Sequence, residues 1–343
     1  MWAQTPAPGQ VQQKTQQPSL TVDSDPVPSP DPDKAPVAAA PDGTAGPRDV
    51  VRENGKYTLR ENAYEVRLNA SVIDSSGKTV DSLPKEAFHV YEDGVPQAIS
   101  SFRHEDLPVS LGIVIDSSGS MLEKRASVDA ASIKLVQLSN REDEAFLVDF
   151  NSEAYIDEDF TSDITKLQQG LAMAKVGGGT ALYDALVASA DYLSKNAKRS
   201  KQVLLIVTDG EDNASSATLE QTIERIQDLD GPAIYCIGLL FGDDMDRREA
   251  RHAKEVLSEL SEQTGGQAYF PKSLKEVADI AAMVAQDIRT QYTIAYRSTK
   301  SPALGGYRQV HVEAKEKGFR GLQVRTRTGY FPKVNSPQRP AGQ

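Results

Sequence analysis

Five oxygen-bearing side chains in three separated stretches have the types and spacing to hold a cation. Asp116, Ser118 and Ser120 lie in Asp116-Ser117-Ser118-Gly119-Ser120-Met121, Thr180 closes Gly177-Gly178-Gly179-Thr180, and Asp209 follows Val207-Thr208 and precedes Gly210. A carboxylate and two hydroxyls at alternate positions are hard donors, and Gly119 permits the tight turn that aims them at one spot. A divalent cation of the magnesium type takes about six oxygens and commonly keeps several waters. Two carboxylates and three hydroxyls supply only part of that shell, so the ion stays electrophilic and open to one more carboxylate from outside. The expected chemistry is capture of Mg2+, or of Mn2+ or Ca2+, and through it of a partner.

Other chemistries fit these residues less well. Ser118 and Ser120 lack the Gly-x-Ser-x-Gly elbow, and no histidine lies near them in sequence as a base. The Gly177 cluster lacks the Gly-Lys-Ser/Thr ending of a phosphate loop. His89, His104, His252 and His311 are scattered without ligand spacing, which disfavours zinc. The acidic runs Glu211-Asp212-Asn213 and Asp243, Asp244, Asp246 miss the EF-hand spacing; they read as solvated charge, with calcium binding or shaping of the rim as the alternative. After Thr180, Tyr183 is expected to pack on its helix and Asp184 to be solvated.

The bulk charge points the same way. A formal charge of -11 repels phosphate polymers and anionic lipid, so no nucleic-acid partner is expected. No apolar run approaches the ~20 residues that span a bilayer. Cys236 is the one cysteine and sits in the apolar run from Ala233 to Leu240, so it reads as a small buried hydrophobe.

The elements that must position these residues can be read from periodicity. Continuous apolar runs at 111–115, 145–150, 203–207, 233–239 and 267–270 alternate with helical patterns between about Leu107 and Gln291, the signature of a mainly parallel sheet covered on both faces. Val128, Ala131, Leu135 and Leu138 share one helical face, as do Val277, Ile280, Val284 and Ile288. Asp116 and Asp209 then fall at the carboxyl ends of strands, where open α/β sheets bind ligands. On either side the period changes to two. Tyr64, Val66, Leu68, Ala70 and Val72 alternate with polar residues, turn signals follow at Ser75-Ser76-Gly77 and Glu92-Asp93-Gly94, and Val310, Val312, Ala314 and Leu322, Val324, Thr326 repeat the alternation near the other end. Neither piece is large enough to bury a sheet alone, so one β-sandwich assembled from both ends is expected. Residues 1–48, rich in Pro, Gln, Ala, Asp and Ser, read as a flexible tether or as a tail without a role in the fold. The expected organisation is this tether, the leading half of the sandwich over 49–106, an α/β domain over 107–290, the closing half of the sandwich over 291–333, and a flexible tail over 334–343.

At Asp116, Ser118, Ser120, Thr180 and Asp209 the sequence resembles the von Willebrand factor type A family, whose metal-ion-dependent adhesion site is written D-x-S-x-S, then a Thr in a loop, then an Asp after a later strand. The resemblance covers about half of the chain. It implies that Ser118 and Ser120 coordinate directly, that Thr180 is the threonine, and that Asp209 is the second acid, often acting through water. It also implies a Rossmann-like doubly wound sheet with one short antiparallel strand, placed near Tyr155 to Phe160. The flanks, with Phe88-His89-Val90-Tyr91-Glu92-Asp93-Gly94 and Arg327-Thr328-Gly329-Tyr330-Phe331, are similar to bacterial proteins described as VWFA-related, usually exported, which implies an immunoglobulin-like sandwich and an extracytoplasmic home. The function implied is a non-enzymatic, metal-dependent adhesion module whose protein partner offers an Asp or Glu carboxylate. The alternatives are a metal-assisted hydrolase and a structural surface protein that binds through the sandwich.

Overall fold

Where apolar and polar residues alternate, the chain forms strands with one face in a core. The computed structural model describes residues 48–53, 56–61, 65–241 and 246–333, so the tether and tail expected at 1–48 and 334–343 lie, Arg48 apart, outside the described residues, as do Tyr64, Asp243 and Asp244. β1 (Arg48–Glu53) and β2 (Lys56–Glu61) pair antiparallel with each other in a sheet of their own. In β3 (Glu65–Ile73), Val66, Leu68, Ala70 and Val72 are buried while Glu65 and Arg67 are exposed. β4 (Phe88–Glu92) and β5 (Val95–Gln97) form a hairpin across Asp93 and Gly94, whose φ of 47° and 77° are the two left-handed positions of a tight turn that an Asp-Gly pair accepts. β6 (Ile99–Arg103) completes the strands that precede the α/β region.

That region is one six-stranded sheet. β7 (Val109–Asp116), β8 (Glu144–Phe150), β9 (Ala154–Thr161), β10 (Lys201–Thr208), β11 (Ala233–Gly238) and β12 (Ala268–Tyr269) lie in the order β12-β11-β10-β7-β8-β9. All pairs are parallel except β8 with β9, the short antiparallel strand expected near Tyr155 to Phe160. From β7 the chain winds outward to β8 and β9, then returns to set β10 on the other side of β7. The winding therefore reverses between β7 and β10, and the carboxyl ends at such a reversal are where open α/β sheets bind ligands.

Both faces of the sheet are covered, which explains the unbroken apolar runs. One core joins α1 (Arg125–Leu138), α2 (Ile164–Leu171) and, later in the chain, α6 through Val128, Ala131, Leu135, Leu167, Val277 and Val284. The opposite core takes α3 (Leu182–Asn196), α4 (Leu219–Asp228) and α5 (Arg247–Thr264) through Leu182, Leu186, Leu193, Ile226, Leu257 and Leu260. The last helix, α6, spans Leu274–Arg289. Two details differ from the periodicity: Leu138, the last residue of α1, is 41% exposed, and Ala281 takes the buried position beside the half-buried Ile280. Gly112, in the middle of β7, is dictated by contact, since a Cβ there would lie 2.4 Å from Leu204 Cδ2 and 2.5 Å from Phe146 Cζ.

After α6 the chain rejoins the earlier strands. β13 (Tyr292–Arg297), β14 (Arg308–Ala314), β15 (Gln323–Arg325) and β16 (Gly329–Tyr330) complete two four-stranded sheets, β15-β3-β13-β6 and β16-β14-β4-β5. Each sheet takes two strands from before the α/β region and two from after it. Their buried residues, among them Leu68, Val72, Phe88, Val90, Tyr292, Tyr296, Val310 and Val312, form one core. The sheets are tied to the α/β region by a buried polar cluster. Arg325 Nη2 donates to both Asp287 oxygens at 2.9 Å, Tyr235 Oη donates to Asp287 Oδ2 at 2.6 Å, and Gln291 Nε2 donates to Tyr235 Oη at 3.0 Å.

Candidate site at the carboxyl ends of β7 and β10

Strand β7 ends at Asp116 and β10 at Thr208, so Asp116 and Asp209 stand at the carboxyl ends of neighbouring strands. Both are buried: Asp116 is 0% and Asp209 2% exposed. Asp116 is held at both oxygens, Oδ1 by the Ser118 backbone N–H at 2.8 Å and Oδ2 by the Thr208 hydroxyl at 2.6 Å. The Ser118 and Ser120 hydroxyl oxygens stand 3.2 Å apart, and Ser120 Oγ donates to Asp209 Oδ1 at 2.8 Å. Burial pushes the Asp116 carboxyl above the usual carboxylate range; hydrogen bonds from Ser118 and Thr208 pull against that, and the nearby Asp209 carboxylate adds to it. A site with this balance favours added positive charge.

The structure thus brings four of the five expected residues into one hydrogen-bonded set. Thr180, 4% exposed, stands in a separate loop before α3, against the residues that follow Asp209, and does not join that set. Its N–H donates to Asn213 Oδ1 at 2.9 Å, its carbonyl accepts from the N–H groups of Asn213 and Ala214, and its hydroxyl lies 3.9 Å from where a Cβ on Gly210 would stand. The glycine-rich stretch before it is anchored on the first motif, since Gly177 N donates to Ser117 O at 2.7 Å.

A neighbouring network fixes the loop from below. Arg125, at the start of α1, donates through Nη1 and Nη2 to the two Asp149 oxygens at 2.6 and 3.0 Å, through Nη1 to Ser117 Oγ at 2.6 Å, and through Nε to Asp129 at 2.6 Å. Met121 is wholly buried in the core of α1 and α6, whereas Leu122, the next residue, is 69% exposed. Met121 therefore anchors the loop, and Leu122 is the apolar side chain it leaves at the surface.

Three expectations for flanking residues change. Asp184 is not simply solvated: it accepts from the N–H groups of Ser216 and Ala217 at 2.8 and 3.0 Å and so pins the loop after β10. Asp212 accepts from Tyr183 N and the Ser215 hydroxyl, and Asn213 from Thr180 N, so these two residues after Asp209 brace the loop rather than stand as free charge. Asp246 caps α5 by accepting from Arg248 N at 2.6 Å and Glu249 N at 3.3 Å. Sequence reasoning also passed over Lys124, whose ammonium sits 2.5 Å from Asp209 Oδ2. A lysine opening a helix carries no spacing signal, and only the fold shows that it faces an acid 85 residues away.

Among the described residues no group of three or more His, Cys, Asp or Glu side chains is arranged to hold a metal. A cation at this site would depend on hydroxyls. Adjacent oxygens in an octahedral magnesium shell, with bonds of roughly 2.0–2.1 Å, lie about 2.9 Å apart. The spacings of 3.2 Å from Ser118 to Ser120 and 2.8 Å from Ser120 to Asp209 bracket that value, and all the atoms are hard oxygens. The donor set fits a small divalent ion.

Residues 111–211 match the family described as von Willebrand factor type A domain, a span that begins inside β7 and takes in all five residues. No curated protein matches the chain. Among solved structures, a von Willebrand factor type A protein from Catenulispora acidiphila is similar at 15% identity, with a TM-score of 0.45 over 71% of this chain and 73% of that one. An aerotolerance-related membrane protein from Bacteroides fragilis is similar at 17% identity and TM-score 0.42, over 52% of this chain and 98% of that one. The vWF domain of the type V pili tip protein Mfa5 from Porphyromonas gingivalis is similar at 13% identity and TM-score 0.41, over 53% of this chain and 95% of that one.

Proposed function

We propose that this chain is a metal-dependent protein-binding module in which Asp116, Ser118, Ser120, Thr180 and Asp209 hold one divalent cation, Mg2+, Mn2+ or Ca2+, against a partner's Asp or Glu side chain. The observation that carries the reading is the continuous run of oxygens from Ser118 through Ser120 to Asp209 at the point where the winding of the sheet reverses. When bound, the cation supplies a coordination position that an acidic side chain from outside can fill. The chain's own residues do the rest. Asp116 supplies buried negative charge and orients Ser118 by accepting its N–H, Thr208 fixes the Asp116 rotamer, and the Asn213 and Ala214 contacts keep the Thr180 loop against the Asp209 loop. Leu122 offers an exposed apolar contact beside the site, suited to a hydrophobic neighbour of the partner's carboxylate. The two flanking sheets are read as one sandwich that presents the α/β region, and an extracytoplasmic location, inferred from the resemblance of the flanks, is open to cell fractionation.

Titration calorimetry with Mg2+ and Mn2+ tests the reading. Saturable binding in the wild type and at least a tenfold loss in Asp116→Ala are expected, as removing one of two anionic donors does on the order of that much damage. A companion pull-down with and without chelator reads the partner; capture that persists in chelator rejects the metal-dependent mode.

A further inference from the structure

The acid that follows β10 has a cation of the chain's own beside it. Asp209 is buried, with its side chain 0% exposed, and both of its oxygens are engaged: Oδ1 by the Ser120 hydroxyl and Oδ2 by the ammonium of Lys124. Lys124 reaches it from the loop between β7 and α1, four residues after Ser120, with its Nζ 5.9 Å from the centre of the Phe241 ring. Its side chain is 18% exposed, so solvent touches it while the carboxylate it serves is sealed. The arrangement places a cation on one oxygen of an acid whose other oxygen belongs to the hydroxyl run. An ammonium and a divalent ion that share one carboxylate repel each other, and at separations of a few ångströms in a partly dry site that repulsion is large. Lysine suits a reversible occupant, because its charge is compact and its four-carbon stem can turn out to water.

We propose that Lys124 is a built-in counter-cation that holds Asp209 in the metal-free protein and is exchanged for the divalent ion when the site loads. This inference rests on the binding reading above and adds its regulation: loading competes with an ion pair inside the chain, so the empty site remains folded and the apparent metal affinity is set below the intrinsic one. In the exchange the Lys124 side chain, which already touches solvent, turns away from Asp209.

The experiment compares wild type, Lys124→Met and Lys124→Arg in titration calorimetry and thermal melts with MgCl2 or MnCl2 as the only added ligand. Removing the charge while keeping the stem is expected to tighten metal binding on the order of tenfold, the scale of one ion pair at intermediate dielectric. It is also expected to lower the melting temperature without metal and to enlarge the rise on adding metal. Lys124→Arg, which keeps the charge, is expected to bind metal no more tightly than wild type. If Lys124→Met does not fold, Lys124→Gln, neutral but still able to donate to Asp209, takes its place. A wild type that binds metal with the same affinity as the neutral variant overturns the exchange and leaves the binding reading standing. Absence of metal binding in every variant overturns both.

Discussion

The acids around the site differ in what surrounds them, and their protonation should differ accordingly. Asp157, on β9, has a buried Oδ2 that no donor faces, and the carboxylate of Asp149 lies alongside. Burial first, and then the shared contact with Asp149, raise its pKa from 3.8 to about 7. A proton on Asp157 converts two repelling acceptors into a donor and an acceptor. The native state therefore binds more protons than the unfolded chain between about pH 4 and 7, so stability should fall as pH rises through that window. Melting curves across it should show the decline, and Asp157→Asn, which stays neutral and can donate, should flatten it. A wild type whose stability is level from pH 4 to 7 contradicts this account. That Asp116, Ser118, Ser120 and Asp209 would meet was legible in the sequence, because each stands at or just after the end of a central strand. The Asp157–Asp149 pair and Lys124 were not, since each gains its character from a neighbour that only tertiary packing supplies.

At the scale of elements, the central strands were readable because burial on both faces leaves no polar alternation, and the flanking strands because burial on one face imposes it. Short pieces escaped: α2 spans Ile164–Leu171 and is secured by Asp163 accepting from Thr165 N, too brief a pattern to stand out from a loop. The role of Gly112 was equally hidden, for a glycine inside an apolar run looks like an interruption until the Phe146 ring is seen across the strand pair. Gly112→Ala should drive its methyl into Phe146 and Leu204 and cost about 1–3 kcal/mol, as overpacking of a well-filled core does. Urea denaturation measures the loss. Because Gly112 is four residues before Asp116 on the same strand, metal titration of the same variant tells whether the strand also transmits the strain to the site.

For the molecule as a whole, the pairing of early with late strands was expected from two half-sheets, each too small to stand alone. The register shows how closely they interlock, with Tyr292 to Arg297 running antiparallel to Ala70 through Glu65. What no pattern in the sequence announced is the cluster of Asp287, Arg325, Tyr235 and Gln291, whose members come from α6, β15, β11 and the link before β13. Asp287 is 5% exposed, so Asp287→Ala strands a largely buried guanidinium and should destabilise the protein by about 3 kcal/mol. The unfolding of the α/β region and of the paired sheets should then separate into two transitions, visible by calorimetry. A single sharp transition with unchanged midpoint would mean that apolar contacts alone couple the two regions.

The strands by which the chain enters and leaves the α/β region lie side by side, Arg103 of β6 opposite Thr293 of β13. Tension applied along the polypeptide from both sides would thus cross from one strand to the other through their ladder of backbone bonds and bypass the α/β region. The carboxyl end of β7 would feel such a pull only once that ladder had been unzipped from its Ile99–Tyr296 end.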